Sequence, residues 1–144
     1  MKNNIKNLLF SEIVGAIMLF SFGFGVLFRG IFWVKEQNDV LDDSDFYLAL
    51  HEVMPIWIWG VLVGVAGLFI MVATVFLASS EENTRCSWLL LIGGVLTGVL
   101  YFLMTSASVY HAINWLSTVH FAIMSTTGFI VAFIGGADIY ARKK

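Results

Sequence analysis

The chain has 144 residues, of which 59% are apolar and 12% charged, with one proline, one cysteine and a formal net charge of −2. This composition, with a mean hydropathy of +0.87, leaves too little polar surface to clothe a soluble globule, and the charge supplies no basic face for nucleic acid. The lone Cys86 can form no internal disulfide and lacks the paired spacing of a metal or redox site, so it reads as filler.

Four apolar stretches, about residues 8–28, 53–78, 87–109 and 118–139, are each long enough for a helix to cross a hydrocarbon layer, which takes about 20 residues. The expected fold is all-α: one domain of four transmembrane helices in an antiparallel bundle. The run from Met1 to Phe28 has lysines and an apolar centre but no small-residue cleavage site, so it reads as the first span rather than a removed signal peptide. Next comes an acidic outer loop, 29–52, with Glu36, Asp39, Asp42, Asp43, Asp45 and Glu52 against Arg29 and Lys35. Within it, Asp43 to Glu52 is expected to form a short interfacial helix, with Ser44 as its cap and Phe46, Tyr47, Leu48 and Leu50 for apolar contact. Pro55 then opens the second span at a first-turn position that tolerates proline. The acidic segment is read first as a solvated connection, with a docking surface for a basic partner or a cation-attracting vestibule as the alternative. Its carboxylates do not have the spacing of an EF-hand.

Ser79 to Cys86 and Ala112 to Leu116 are short turns, so consecutive later spans must be adjacent and antiparallel. No internal repeat is visible, which leaves an inverted-repeat transporter within one chain unsupported. Lys2, Lys6, Arg85, Arg142, Lys143 and Lys144 fall on one side and Arg29 and Lys35 on the other, which orients both termini to the cytoplasm of a cell (inner) membrane. Trp33, Trp57, Trp59 and Trp115 then gather at the outer interface and Trp88 at the inner one.

Helices in lipid approach closely where small residues let them. Gly60 and Gly64 on the second span, Gly94 and Gly98 on the third, and Gly128, Ala132 and Gly136 on the fourth form such ladders. A polar stripe runs beside them, because helical neighbours recur every three or four residues. Thr97, Tyr101, Thr105, Ser108 and His111 share one face of the third span, and Ser117, His120, Thr127 and Asp138 one face of the fourth. Facing each other, with Glu12 near the inner mouth, they would make a seam for a proton or small cation. The plainer reading is local: hydroxyls return to their own helix carbonyls, Tyr101 finds one partner across the bundle, and Glu12 and Asp138 reach nearby headgroups.

Three histidines, His51, His111 and His120, lie at similar depth among Trp57, Trp115 and Phe121. In this respect alone the chain resembles the small haem b membrane anchors of respiratory enzymes, a resemblance that implies imidazole ligands from different helices to a b-type haem. The run Ser11, Glu12, Ile13, Val14 and Gly15 resembles the embedded-glutamate region of small multidrug resistance transporters, which are also four-span. That resemblance stops after the first helix and implies a role for Glu12 only, as a carboxylate exchanging protons for cations.

No phosphate loop, nucleophile constellation, HExxH or CxxC is present. The expected function is non-enzymatic and carried by helix packing: an accessory subunit or regulator of a membrane complex, or a homo-oligomer, with membrane lipid and other membrane subunits or itself as partners. Cation-coupled transport through the seam is the alternative, followed by electron transfer through haem b.

Overall fold

Every backbone group inside a hydrocarbon layer must find its hydrogen bond within the protein, and a continuous helix does this without help from neighbours. The computed structural model describes residues 10–77, 84–111 and 114–144 and is helical almost throughout, without a strand among them. Its elements are α1 (Phe10–Lys35), α2 (Gln37–Asp43), α3 (Asp45–Val53), α4 (Ile56–Leu77), α5 (Arg85–His111) and α6 (Trp115–Ala141). Four of these, α1, α4, α5 and α6, are long and apolar enough to cross a membrane, as the hydropathy requires. Lys2, Lys6, residues 79–83, Ala112 and Ile113, on which parts of the charge and turn readings rest, lie outside the described residues.

The spans pack in chain order, α1 along α4, α4 along α5 and α5 along α6. Glycines set the two tightest pairings. A Cβ placed on Gly60 would lie 2.7 Å from the Gly30 carbonyl oxygen, so α1 and α4 cross there with backbone against backbone. On α5 and α6, a Cβ on Gly94 would lie 2.5 Å from the Ala132 amide nitrogen, and one on Gly128 would lie 2.6 Å from that of Gly98. Gly98 also receives the Phe129 ring, 2.8 Å from where its Cβ would be. Gly64 and Gly136 behave differently: their nearest neighbours, the Leu27 and Leu91 Cδ1 methyls, stand 3.7 and 3.5 Å from such a Cβ. Further along α6 the close approach to α5 is made by Gly135, whose Cβ would lie 2.5 Å from the Ser87 carbonyl oxygen.

The segment read as an outer loop is mostly helical. The first span runs on to Lys35 rather than ending at Phe28, because Ile31, Phe32, Trp33 and Val34 continue its apolar run past Arg29. After α2, α3 folds back over one end of the bundle. Ser44 occupies its N-cap position in extended conformation, but the Ser44 hydroxyl makes no capping bond. Phe46 and Leu50 are buried, Tyr47 partly so, and Leu48 points outward. Phe46 stacks on Phe121 of α6, with centroids 5.3 Å apart and planes at 20°. Tyr47 meets Trp33 edge-on at 6.3 Å. The Trp59 indole donates to the Leu50 carbonyl at 3.2 Å, tying the end of α3 to α4. Trp33 and Trp59 are therefore core residues beneath this cap, with Trp33 wholly buried, whereas Trp57, Trp88 and Trp115 remain exposed on the bundle surface.

Two clusters make up the core. One joins Val26, Trp33, Phe46, Leu50, Tyr101 and Phe121 at the capped end. The other gathers Ala73, Cys86, Leu90 and Val131 near the opposite end, with Leu19 and Phe22 of α1 against it.

Replacing Gly128 by valine forces a side chain into the Gly98 backbone. It should destabilise the folded chain by at least about 1–3 kcal/mol, the usual cost of overpacking. Gly64→Ala, with room for its methyl, should be tolerated. Thermal melts in one neutral detergent would separate the two, and equal melting of Gly128→Val and wild type would contradict the backbone contact.

Candidate functional site

The polar residues of α5 turn inward: Thr97, Tyr101 and Ser108 are buried, Thr97 completely. Their α6 counterpart is Ser125, which donates its hydroxyl to the Gly98 carbonyl at 2.9 Å across the interface. Thr127 does not join them. It lies off the buried stripe Phe121, Ser125, Gly128, Ala132, Gly135 and Ile139, and gives its hydroxyl to Ile123 of its own helix at 2.8 Å. A threonine can satisfy itself on the preceding turn, so its polarity does not reveal which way it faces. Thr105 and Ser108 likewise donate to the Tyr101 and Thr105 carbonyls at 2.7 and 2.9 Å.

Asp138 sits near the end of α6 away from the cap. It accepts from the Ser87 hydroxyl at 2.5 Å and from Arg142 Nε at 2.7 Å, so its carboxylate links α5 to α6 and to a cation one turn on. Glu12 is exposed on the first turn of α1. At the Thr97 level the two backbones come together in the contact of Gly98 with Gly128, and between that level and Asp138 they do so again at Gly94 with Ala132. The sequence-derived seam residues thus fall into three groups: a buried set on α5, a paired carboxylate at the far end, and Thr127 and Glu12 elsewhere.

His51 on α3, His111 at the end of α5 and His120 on α6 are all exposed. Among the described residues, no group of three or more His, Cys, Asp and Glu side chains is placed to hold a metal ion.

The most site-like feature is one that charge counting along the sequence passes over. The hydropathy pattern puts Arg29 at the start of the outer loop; in the structure it is on α1, less than two turns before Lys35, and turns towards α6. Its guanidinium carbon lies 5.4 Å from the ring centroids of both Trp33 and Phe121. These aromatic faces attract the charge but offer no conventional hydrogen-bond acceptor. Arg29 Nε is buried and without a hydrogen-bond partner, and no carboxylate among the described residues pairs with the group. Arg29 lines a cleft of about 390 Å³ together with Asn114, Ser117, His120, Phe121 and Ile123. Asn114 caps α6 there, its side-chain oxygen accepting from the Ser117 amide at 3.0 Å. The signal available in the sequence was a single cation followed by four more apolar residues, which extends the helix around the charge rather than ending it.

The Thr97 hydroxyl is buried without a partner. Thr97→Val should therefore raise stability, by about 1–2 kcal/mol if the full desolvation penalty is relieved, readable as an upward shift in melting temperature. A lower melting temperature would show that the hydroxyl is in use. Comparison with family models, curated proteins and solved structures finds no match to this chain.

Proposed function

We propose that this is a non-enzymatic polytopic membrane protein that works by lateral helix packing, as a homo-oligomer in which α1 of one copy lies in a groove on α5 and α6 of the next. The supporting observation is the groove: about 630 Å³, lined by Leu91, Phe129, Ala132, Phe133, Gly136 and Tyr140, where a Cβ on Gly136 would touch the Leu91 methyl and no backbone. Lipid chains are as apolar as leucine, so helices associate where a small residue admits a neighbour's side chain. The matching ridge is on α1, the least covered span, with 22% of its apolar window buried against 50% for α5. Its exposed Phe10, Ile13, Ile17, Phe20 and Phe24 begin at the same end of the bundle as the groove, and Phe20 and Phe24 stack at 6.3 Å. Ridge and groove are different surfaces, so the contact is heterologous and closes only by forming a ring.

The same reading places the protein in a cell membrane with the end bearing Arg85, Arg142, Lys143 and Lys144 towards the cytoplasm, following the retention of short basic segments on that side. Its partners are lipid and membrane subunits, with self-association favoured by the ridge on its own first helix. An accessory role in a larger complex uses the same groove with a foreign helix in it.

Gly136→Leu fills the groove floor without meeting backbone, so the chain should fold and lose its association. Native mass spectrometry after gentle extraction should show multiples of the chain mass for wild type and a monomer for Gly136→Leu. A stoichiometric foreign protein that is lost in the same variant would make the chain an accessory subunit. Identical mass distributions for wild type and Gly136→Leu would overturn packing through this groove.

A further inference from the structure

The cleft beside Arg29 combines features that a packing role does not use. A guanidinium on a membrane-crossing helix is costly unless something accepts its protons, yet the neighbours of Arg29 are the Trp33 and Phe121 rings and its buried Nε has no acceptor. Asn114, which also lines the cleft, commits its side-chain oxygen to capping α6, so what its side chain has left to offer a ligand is its amide donor. The first-turn amides of α6 add the positive end of a helix dipole to the same place. All three favour an anion with several acceptor oxygens.

Depth and shape narrow the choice. Trp115, at the start of α6, is 75% exposed, and an indole so placed marks the boundary between hydrocarbon and headgroups. The cleft begins at that level, at Asn114, and runs about two turns deeper to Ile123, with Leu116, Val119 and Ile123 exposed along its rim, so it opens sideways onto an apolar surface. A free anion would have to leave water to enter it, whereas a phospholipid already has its phosphate at this level and its chains alongside.

We propose that this cleft binds the phosphodiester headgroup of an anionic phospholipid, with the phosphate on Arg29, headgroup hydroxyls towards Asn114 and Ser117, and an acyl chain along Val119 and Ile123. The site does not depend on the groove between α5 and α6 and stands whether or not the chain self-associates.

The test uses the full-length protein in a neutral detergent, titrated with dioleoylphosphatidylglycerol or dioleoylphosphatidylcholine, with bound lipids counted by native mass spectrometry and folding followed by circular dichroism. Wild type should hold one phosphatidylglycerol at least about tenfold more tightly than phosphatidylcholine, as a charge-assisted contact requires. Arg29→Gln should abolish that preference. Because Arg29 also packs on two rings and its loss could disturb folding, Asn114→Asp supplies the second variant. Aspartate caps a helix as well as asparagine, so the fold should stand while a negative charge enters the cleft and the preference falls by a similar factor. Lipid held by the basic end at Arg142, Lys143 and Lys144 should be the same in all three proteins. Equal affinity of wild type for the two lipids, or an undiminished preference in folded Asn114→Asp, would overturn the proposal. Displacement of the bound lipid by millimolar inorganic phosphate would assign the cleft to a soluble anion and overturn the lipid reading as well.

Discussion

Where water cannot drive association, the distance at which two helix backbones meet decides how much contact they make. In this chain that distance is set by Gly30 with Gly60 on one side of the bundle and by Gly94, Gly98 and Gly128 with Ala132 on the other. Dispersion contacts are individually weak and fall away within an ångström, so closeness at these crossings lets the larger side chains between them interlock. The placement of every polar group depends on it. Ser125 reaches the Gly98 carbonyl only because that carbonyl is so near, and Ser87 reaches Asp138 because Gly135 lets α6 settle onto α5 beside it.

The capped end answers a different requirement. α1, α4, α5 and α6 enclose aromatic bulk there, and a short amphipathic helix covers it in place of a solvated loop. Phe46 and Leu50 fill the space between spans, while Asp45, His51 and Glu52 stay exposed. Acidic residues on this segment are what one face of a half-immersed helix needs, and the neighbouring phenylalanine and leucine supply the other. Arg29 belongs to this end too, held between rings that the cap helps to bury.

The number and approximate position of the spans were legible because an unbroken apolar run of bilayer length has few other meanings. The short helix at Asp45–Val53 was legible from Ser44, the apolar quartet behind it and Pro55. Facing was harder to read. Small residues announce that a helix packs closely but not on which side, so Gly60, Gly64, Gly94 and Gly128 meet partners within the chain while Gly136 has only the Leu91 methyl near it. Hydroxyls mislead in the same way, since Thr127 closes onto its own helix and Ser125 does not. Tryptophans sorted by depth rather than by residue type: Trp33 and Trp59 lie under a cap whose position depends on pairings between distant parts of the chain, and no local pattern carries that information.

The stacking of Phe46 on Phe121 also bears on how the molecule is made. The cap leaves the ribosome directly after the first span, yet its seat is completed only by the last, so α3 must wait at the membrane surface while three more helices are inserted. Until then its apolar face has only lipid headgroups to rest on. Closure of the cap is thus a late event in biogenesis for an early segment, and a chain stalled before its fourth span would display that face.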